Sequence, residues 1–354
     1  MEANGNLRTA IVLQGGGALG AYEFGVLKAL YEKRPGFEPS AVTGISIGAI
    51  TTAVLAGAKG DPMEVLDRLW REKLTVLPPV PPIFQPAYQQ FVPRVFQQSL
   101  AVMGNPGMYQ LRPEIMWTPW LCTSIYDLAP LRRTLAELVD LEKLNNNGIR
   151  AAVGAIQVGT SEIKYFDNRN GGLSFERVMA SGSLPPGFPM TEVDGYYYWD
   201  GGLFSNTPLE RAINFLEECD PDNPDIRREL IVVELFPTDA PIPKDMRGII
   251  SRMTQLQYTS RLKMDRKFFA KINKMVDLLQ KIHDTLPEDS PIRQDEDYKE
   301  LRSHKKIDAF QVITSNLPPE LSNASDFSKR SIEERIEDGY QSAVAHRIWE
   351  PSST

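Results

Sequence analysis

Ser46 stands at the centre of Gly44-Ile45-Ser46-Ile47-Gly48, and a glycine cluster, Gly15-Gly16-Gly17-Ala18-Leu19-Gly20, lies upstream of it. Gly-x-Ser-x-Gly is the pattern of a serine held on a sharp strand-to-helix turn with its hydroxyl presented outward, which makes it a candidate nucleophile. Glycines ahead of a helix offer backbone N–H groups where negative charge is stabilised, as an oxyanion requires. The remaining part of such a site is a base. The three histidines, His283, His304 and His346, fall in the last quarter of the chain in charged, helix-like surroundings and read as surface residues. A better candidate is Asp200, where the aromatic run Tyr196-Tyr197-Tyr198-Trp199 ends in Asp200-Gly201-Gly202. The two glycines let the backbone turn sharply after the carboxylate. A free Asp, with a pKa of about 3.9, is a weak base. A Ser–Asp pair therefore depends on partial desolvation of the carboxylate and on a strong anion hole.

The elements that must hold these groups can be read around them. Thr9–Leu13 and Ala41–Thr43 are short, apolar and suited to buried strands, each ending at one of the glycine motifs. Ala21–Glu32 and Ile47–Ala58 are apolar enough on one side, or throughout, to be the helices that follow. Gly44 and Gly48 leave out the Cβ atoms that would crowd the serine turn. Gly15, Gly17 and Gly20 also fit Gly-x-Gly-x-x-Gly, but the next strand ends without the carboxylate that a dinucleotide ribose would need. Further on, Arg150–Val158 and Ile163–Phe166 read as a hairpin, Ser174–Ala180 and Pro208–Glu218 as helices, and Glu229–Phe236 as another buried strand. A helix is expected from Ser124 or Asp127 to Val139. Alternating strands and helices imply an α/β fold with helices on both faces of the sheet.

Taken together, GGGALG at 15–20, GISIG at 44–48, ASGSLPPGFP at 180–189 and WDGGLFSNTPL at 199–209 resemble, in order, the motifs of the patatin-like phospholipases. The likeness spans roughly residues 7–240. It implies a three-layer α/β/α sandwich with a mostly parallel central sheet. It also implies a lipid acyl hydrolase with Ser46 as nucleophile, Asp200 as general base and the N–H groups around Gly15, Gly16, Gly17 and Ala18 as oxyanion hole. Gly20, Gly44, Gly48, Gly201 and Gly202 are the motif glycines. Two positions depart from the pattern. Leu19 stands where many members carry a cation, and Ile47 stands where a small residue is usual, which is expected to narrow the acyl entrance. The stretches Gln257–Arg261 and Asp326–Tyr340 resemble a C-terminal extension of a bacterial subgroup. No metal and no organic cofactor is implied. An acyltransferase or a thioesterase would use the same pair, and a catalytically silent lipid- or partner-binding module would keep the same fold.

The rest of the chain is compatible with that reading. The 354 residues suffice for a full core, with 42% hydrophobic and 24% charged residues. A net charge of −7 argues against nucleic acid as a partner. Two cysteines make neither a disulfide framework nor a metal cluster. No apolar run is long enough to span a bilayer, and the first ten residues lack the pattern of a secretory signal. A cytoplasmic protein is expected, meeting its acyl-ester substrate from the aqueous side, with peripheral contact at the inner membrane surface as the accompanying expectation.

Residues 78–120 break the rhythm, with nine prolines, few charges and many aromatic and methionine side chains. They are expected to form an irregular lid or cover. Pro237–Pro243 marks a boundary, giving a catalytic domain over 7–240 and a mainly helical extension over 241–354. Within the extension, Phe268, Ile272, Met275, Leu279 and Ile282 form an apolar stripe on a basic helix. That stripe is expected to pack on the catalytic domain, with an anionic membrane surface or a homodimer contact as alternatives. A strand over Ala309–Thr314 and a helix opened by a Ser331/Glu334 capping box complete the reading.

Overall fold

The computed structural model describes residues 6–350 apart from 79, 86, 89–91, 222, 224, 238, 241 and 319–320. Parts of the Pro-rich segment, of the predicted boundary and of the N-terminus thus lie outside the described residues, as do the side chains of Arg261 and Phe268.

In chain order the strands are β1 (Leu7–Leu13), β2 (Ala41–Gly44), β3 (Gly104–Asn105), β4 (Tyr109–Leu111), β5 (Tyr126–Asp127), β6 (Arg150–Gln157), β7 (Ile163–Asp167), β8 (Thr191–Val193), β9 (Tyr196–Asp200), β10 (Arg227–Glu234) and β11 (Ala309–Thr314). Eight of them build one sheet in the order β11-β10-β1-β2-β6-β9-β8, with β7 also on β6. The five strands from β11 to β6 run parallel, whereas β7 and β9 are antiparallel to β6. β3, β4 and β5 form a separate small antiparallel sheet.

Side chains along β1 alternate between two cores, as the pleat of a strand requires. Ile11 and Leu13 join one buried cluster with α1 (Gly20–Lys33) and α2 (Ile47–Gly57); Ala10 and Val12 join another with the helix Leu209–Glu218. Both faces of the sheet are therefore covered, which is the α/β architecture the motif order implied.

Residues beyond 240 share this sheet, because β11 is its edge strand beside β10. The helix Lys329–His346 crosses α1 so closely that a Cβ at Gly25 would lie 2.0 Å from the Ile336 carbonyl oxygen, and one at Gly339 2.1 Å from that of Tyr22. This helix begins one turn earlier than the capping-box reading. Its N-cap is Ser328, and the Ser331 hydroxyl is buried inside the first turn without a partner among the described residues. The basic helix runs from Met246 to Thr285 and meets the second core through Phe269, whose ring lies 5.7 Å from Phe310. Asn273 fastens it by exchanging hydrogen bonds with the Ile307 backbone.

The Pro-rich segment forms short turns, the helix Arg94–Ser99 and, with β5, the small sheet. Its inner side is anchored. Tyr109 is buried against Tyr126, Phe188 and Phe327 and donates to the Ala101 carbonyl, and the Asn105 amide donates to Leu74. Its outer side is not, since Met116, Trp117, Trp120 and Leu121 are all exposed.

Candidate active site

Ser46 follows β2 and begins α2. Its backbone has φ of 56°, in the left-handed region that a non-glycine residue enters only under constraint. The constraint is visible in the packing. A Cβ at Gly44 would lie 2.1 Å from the Gly48 carbonyl oxygen, and one at Gly48 would lie 2.6 Å from that of Leu13. The turn closes only because both positions are glycine. Ser181 secures it from the other side: the Ser46 N–H reaches the Ser181 hydroxyl and carbonyl, both at 3.1 Å, while that hydroxyl donates to the Gly154 carbonyl at 2.6 Å.

The register of β6 explains how Asp200 arrives. β2 pairs with residues 150–153 of β6, and β9 pairs with residues 155–157; both lie on the edge opposite β7. Gly44 stands opposite Val153 and Asp200 opposite Ala155, a separation of roughly 7 Å along the strand. Two ends that converge from opposite directions thus place a serine turn and a carboxylate side by side. Asp200 is 2% exposed, whereas Ser46 is half-buried and open to solvent. Burial pushes the Asp200 carboxyl up to about 6, opposed by the nearby Ser46 side chain and by the Gly202 N–H, which donates to it at 2.8 Å.

The glycine loop enters from the end of β1. A Cβ on Gly15 would lie 2.9 Å from the Ser46 Cβ, so glycine is what lets this backbone approach the serine. The Gly15 carbonyl accepts from the Asn206 side chain at 2.7 Å. Because a trans peptide points its C=O and N–H in opposite directions, this bond fixes the direction of the Gly16 N–H. The N–H groups of Gly16 and Gly17 have no acceptor among the described residues. The Ala18 N–H, expected to be one of the oxyanion donors, instead donates to the Ala324 carbonyl at 2.8 Å. Ile47 is buried with its side chain against Gly20, 2.8 Å from where a Cβ would lie. It thus fills the space between the two glycine motifs, which corrects the expected narrowing of the acyl entrance.

Several residues were not singled out by sequence. Ser181 and Asn206 lie inside the motifs that carry the resemblance, but their bonds join segments more than a hundred residues apart. Gln14 adds another link, donating to the Thr207 hydroxyl and accepting from the Leu235 N–H. Tyr258, from the long helix, stacks on Phe236 and lies 3.8 Å from a Cβ built on Gly202. Burial first and the Asp200 charge second raise its hydroxyl above the usual tyrosine value. The histidines lie elsewhere: His283 contacts Tyr298 and Arg293, His304 contacts Glu217, and His346 contacts the Ser342 carbonyl. An open cleft of about 260 Å³ lined by Arg8, Glu38, Ser40, Arg150 and Cys219 lies at the amino ends of the strands, away from Ser46.

A central parallel sheet with a serine turn and a glycine loop at the carboxyl ends of its strands defines a class of α/β acyl hydrolases. The chain belongs to the patatin-like phospholipase family, which matches residues 11–213; a second family, described as patatin phospholipase, matches residues 256–351. No curated protein sequence matches the chain. Among solved structures it is similar to VipD from Legionella pneumophila at 15% identity and a TM-score of 0.40, covering 96% of this chain and 66% of VipD. It is also similar to the ExoU–SpcU complex from the type III secretion system of Pseudomonas aeruginosa, at 14% identity and a TM-score of 0.32, covering 97% of this chain and 75% of the other. The chain thus spans just under two thirds of VipD's length. Among the described residues, no helix is long and apolar enough to cross a membrane.

Proposed function

We propose that this protein hydrolyses carboxylic esters of lipids through Ser46 and Asp200. The observation that carries the reading is the buried Asp200 carboxylate facing the Ser46 hydroxyl, with its proton affinity raised by burial. Asp200 takes the Ser46 proton as Oγ attacks the ester carbonyl carbon. The negative charge that develops on the carbonyl oxygen meets the Gly16 and Gly17 N–H groups, supported by the positive end of α1. Collapse of the tetrahedral intermediate breaks the ester C–O bond; the alcohol leaves with the proton from Asp200, and the acyl group stays on Ser46. Water then gives a proton to Asp200 as its oxygen attacks the acyl carbon; the acyl–Oγ bond breaks, Ser46 Oγ takes the proton back from Asp200, and the fatty acid is released.

Apolar side chains at the site favour a lipid. Leu203 and Phe204 are half exposed directly after Gly202. Ile249, Ile250 and Met253 are exposed on the opening turns of the helix that brings Tyr258 to Gly202. Residues 7–240 form the proposed catalytic unit and 241–354 its extension, acting from the cytoplasmic side on lipid at a membrane surface.

Hydrolysis of p-nitrophenyl esters of two to sixteen carbons by wild type and Ser46→Ala tests the reading. Activity that vanishes in the variant supports it, and retained activity in Ser46→Ala contradicts it. Product analysis with glycerol, lysolipid or thiol acceptors separates hydrolysis from acyl transfer by the same pair.

A further inference from the structure

The glycine loop poses a mechanical problem. Donors that stabilise an oxyanion must be fixed before the reaction begins, yet consecutive glycines are the least constrained backbone a chain can have. Gly17 also has φ of 54°, a conformation that has to be held. Asn206 fixes the peptide on one side of the Gly16–Gly17 unit, through the Gly15 carbonyl. The peptide on the other side, Gly17–Ala18, is fixed by a segment more than three hundred residues away in sequence. The Ala18 N–H donates to the Ala324 carbonyl at 2.8 Å, and a Cβ on Gly17 would lie 2.5 Å from that same oxygen.

Ala324 belongs to the turn Leu321–Asp326, which is closed within itself by the Asp326 N–H on the Asn323 carbonyl at 3.1 Å. Arg335 holds the turn from outside. Its side chain is fully buried on the helix Lys329–His346. Nε and Nη2 donate to the Leu321 carbonyl at 3.0 and 2.8 Å, Nη2 to Asn323 at 2.8 Å, and Nη1 to Asp326 at 2.6 Å. Nη1 also reaches the Ala18 carbonyl at 3.3 Å. The Asp326 carboxylate, itself fully buried, lies 4.0 Å from Nη2 and balances the charge. A planar guanidinium with five donors can bind several carbonyls in one fixed geometry, which an ammonium cannot reproduce. Here it holds both the turn and the glycine loop that the turn contacts.

We propose that Arg335 is a positioning residue for the oxyanion-binding loop, acting through the Leu321–Asp326 turn to hold Gly16 and Gly17 in the geometry that receives the developing charge. The C-terminal extension is on this view part of the active site's construction. The inference rests on the Ser46–Asp200 reading.

The test compares wild type, Arg335→Lys and Asn323→Ala. Arg335→Lys keeps the charge but loses the fork. Asn323→Ala removes the side-chain acceptor that shapes the turn at the Ser325 N–H and leaves the buried cation in place. Each is assayed for kcat and KM on a medium-chain p-nitrophenyl ester. Each is also assayed for inhibition by octylboronic acid, whose tetrahedral adduct on Ser46 places an oxygen in the anion hole. In Arg335→Lys we expect kcat to fall roughly 10- to 100-fold, with KM within about twofold, and the boronate inhibition constant to rise in step with the loss in kcat. Asn323→Ala should show the same pattern more weakly. The pH inflection set by Asp200 should not move in either variant.

A role confined to stability would lower the unfolding temperature while leaving kcat of the folded enzyme and boronate affinity at wild-type values; that result overturns the inference. If Arg335→Lys does not fold, Asn323→Ala decides by the same measurements. Ser46→Ala is run alongside. If it is inactive while the other variants keep wild-type kcat, only the role of Arg335 fails. If it stays active, the dyad reading fails and the role of Arg335 with it.

Discussion

Two buried carboxylates on the same sheet are treated in opposite ways. Glu229, near the amino end of β10, is fully buried and satisfied on every side: Thr9 donates to it at 2.9 Å, Arg34 at 2.9 Å and Gln311 at 2.9 Å. It ties β1, β10, β11 and the C-terminal end of α1 together. Asp200, at the carboxyl end of β9, is buried to a similar degree but accepts only the Gly202 N–H at hydrogen-bond distance, with the Ser46 side chain nearby, and no cation pairs with it among the described contacts. A carboxylate with full partners is inert structure. One left short of partners keeps a high proton affinity, which is what a base for a serine needs. Under the proposed mechanism, the two ends of the sheet divide the work between cohesion and chemistry.

The contrast is tested most sharply by removing the charge at each end. Asp200→Asn should lower kcat by roughly 10²- to 10⁴-fold, with no loss of thermal stability at pH 8. A retained rate would remove Asp200 from the chemistry. Glu229→Ala should do the reverse, stranding Arg34 and costing about 3 kcal/mol in chemical denaturation while kcat/KM of the folded protein changes by less than about twofold.

The pH dependence follows from the same contrast. The proposed base, Asp200, can accept a proton only when ionised, so log kcat/KM should rise with unit slope below pH about 6 and level off above it. Its pKa is raised in the fold, so the folded state holds the proton more tightly than the open chain. The associated stability is present below pH about 4 and is lost as pH rises through about 6, amounting to about 3 kcal/mol. Unfolding curves of Asp200→Asn should lack that component. A second carboxylate of this kind is Glu23, which is buried on α1 and raised well above the usual carboxylate range, by burial first. Glu23→Gln should leave activity near wild type and flatten the loss of stability as pH rises above the usual carboxylate range.

What could be read in advance was whatever is local in sequence. The strand-to-helix grammar around Gly15–Gly20 and Gly44–Gly48 is written in adjacent residues, and the elements appeared within a few residues of their expected ends. The pairing of Ser46 with Asp200 was suggested by residue type and motif order, while the β6 register that brings them together is a tertiary fact. Contacts made by backbone atoms were illegible. Nothing in Ala324 signals that its carbonyl will take the Ala18 N–H, and Arg335 reads as one more charged residue of a surface helix until its five hydrogen bonds are seen. The Ser331/Glu334 spacing misled for a related reason. The chain turns at Ser328, where the Asp326 carboxylate accepts the backbone N–H, so the helix starts before the pattern does.

The most direct test of the central claim is to treat the wild-type protein with an alkyl fluorophosphonate and locate the adduct by peptide mass spectrometry. A single adduct is expected, on Ser46, formed at a rate that rises with pH around 6 and is sharply reduced in Asp200→Asn. Hydrolytic activity that survives full modification of Ser46, or an inactivating adduct on any other residue, would contradict it.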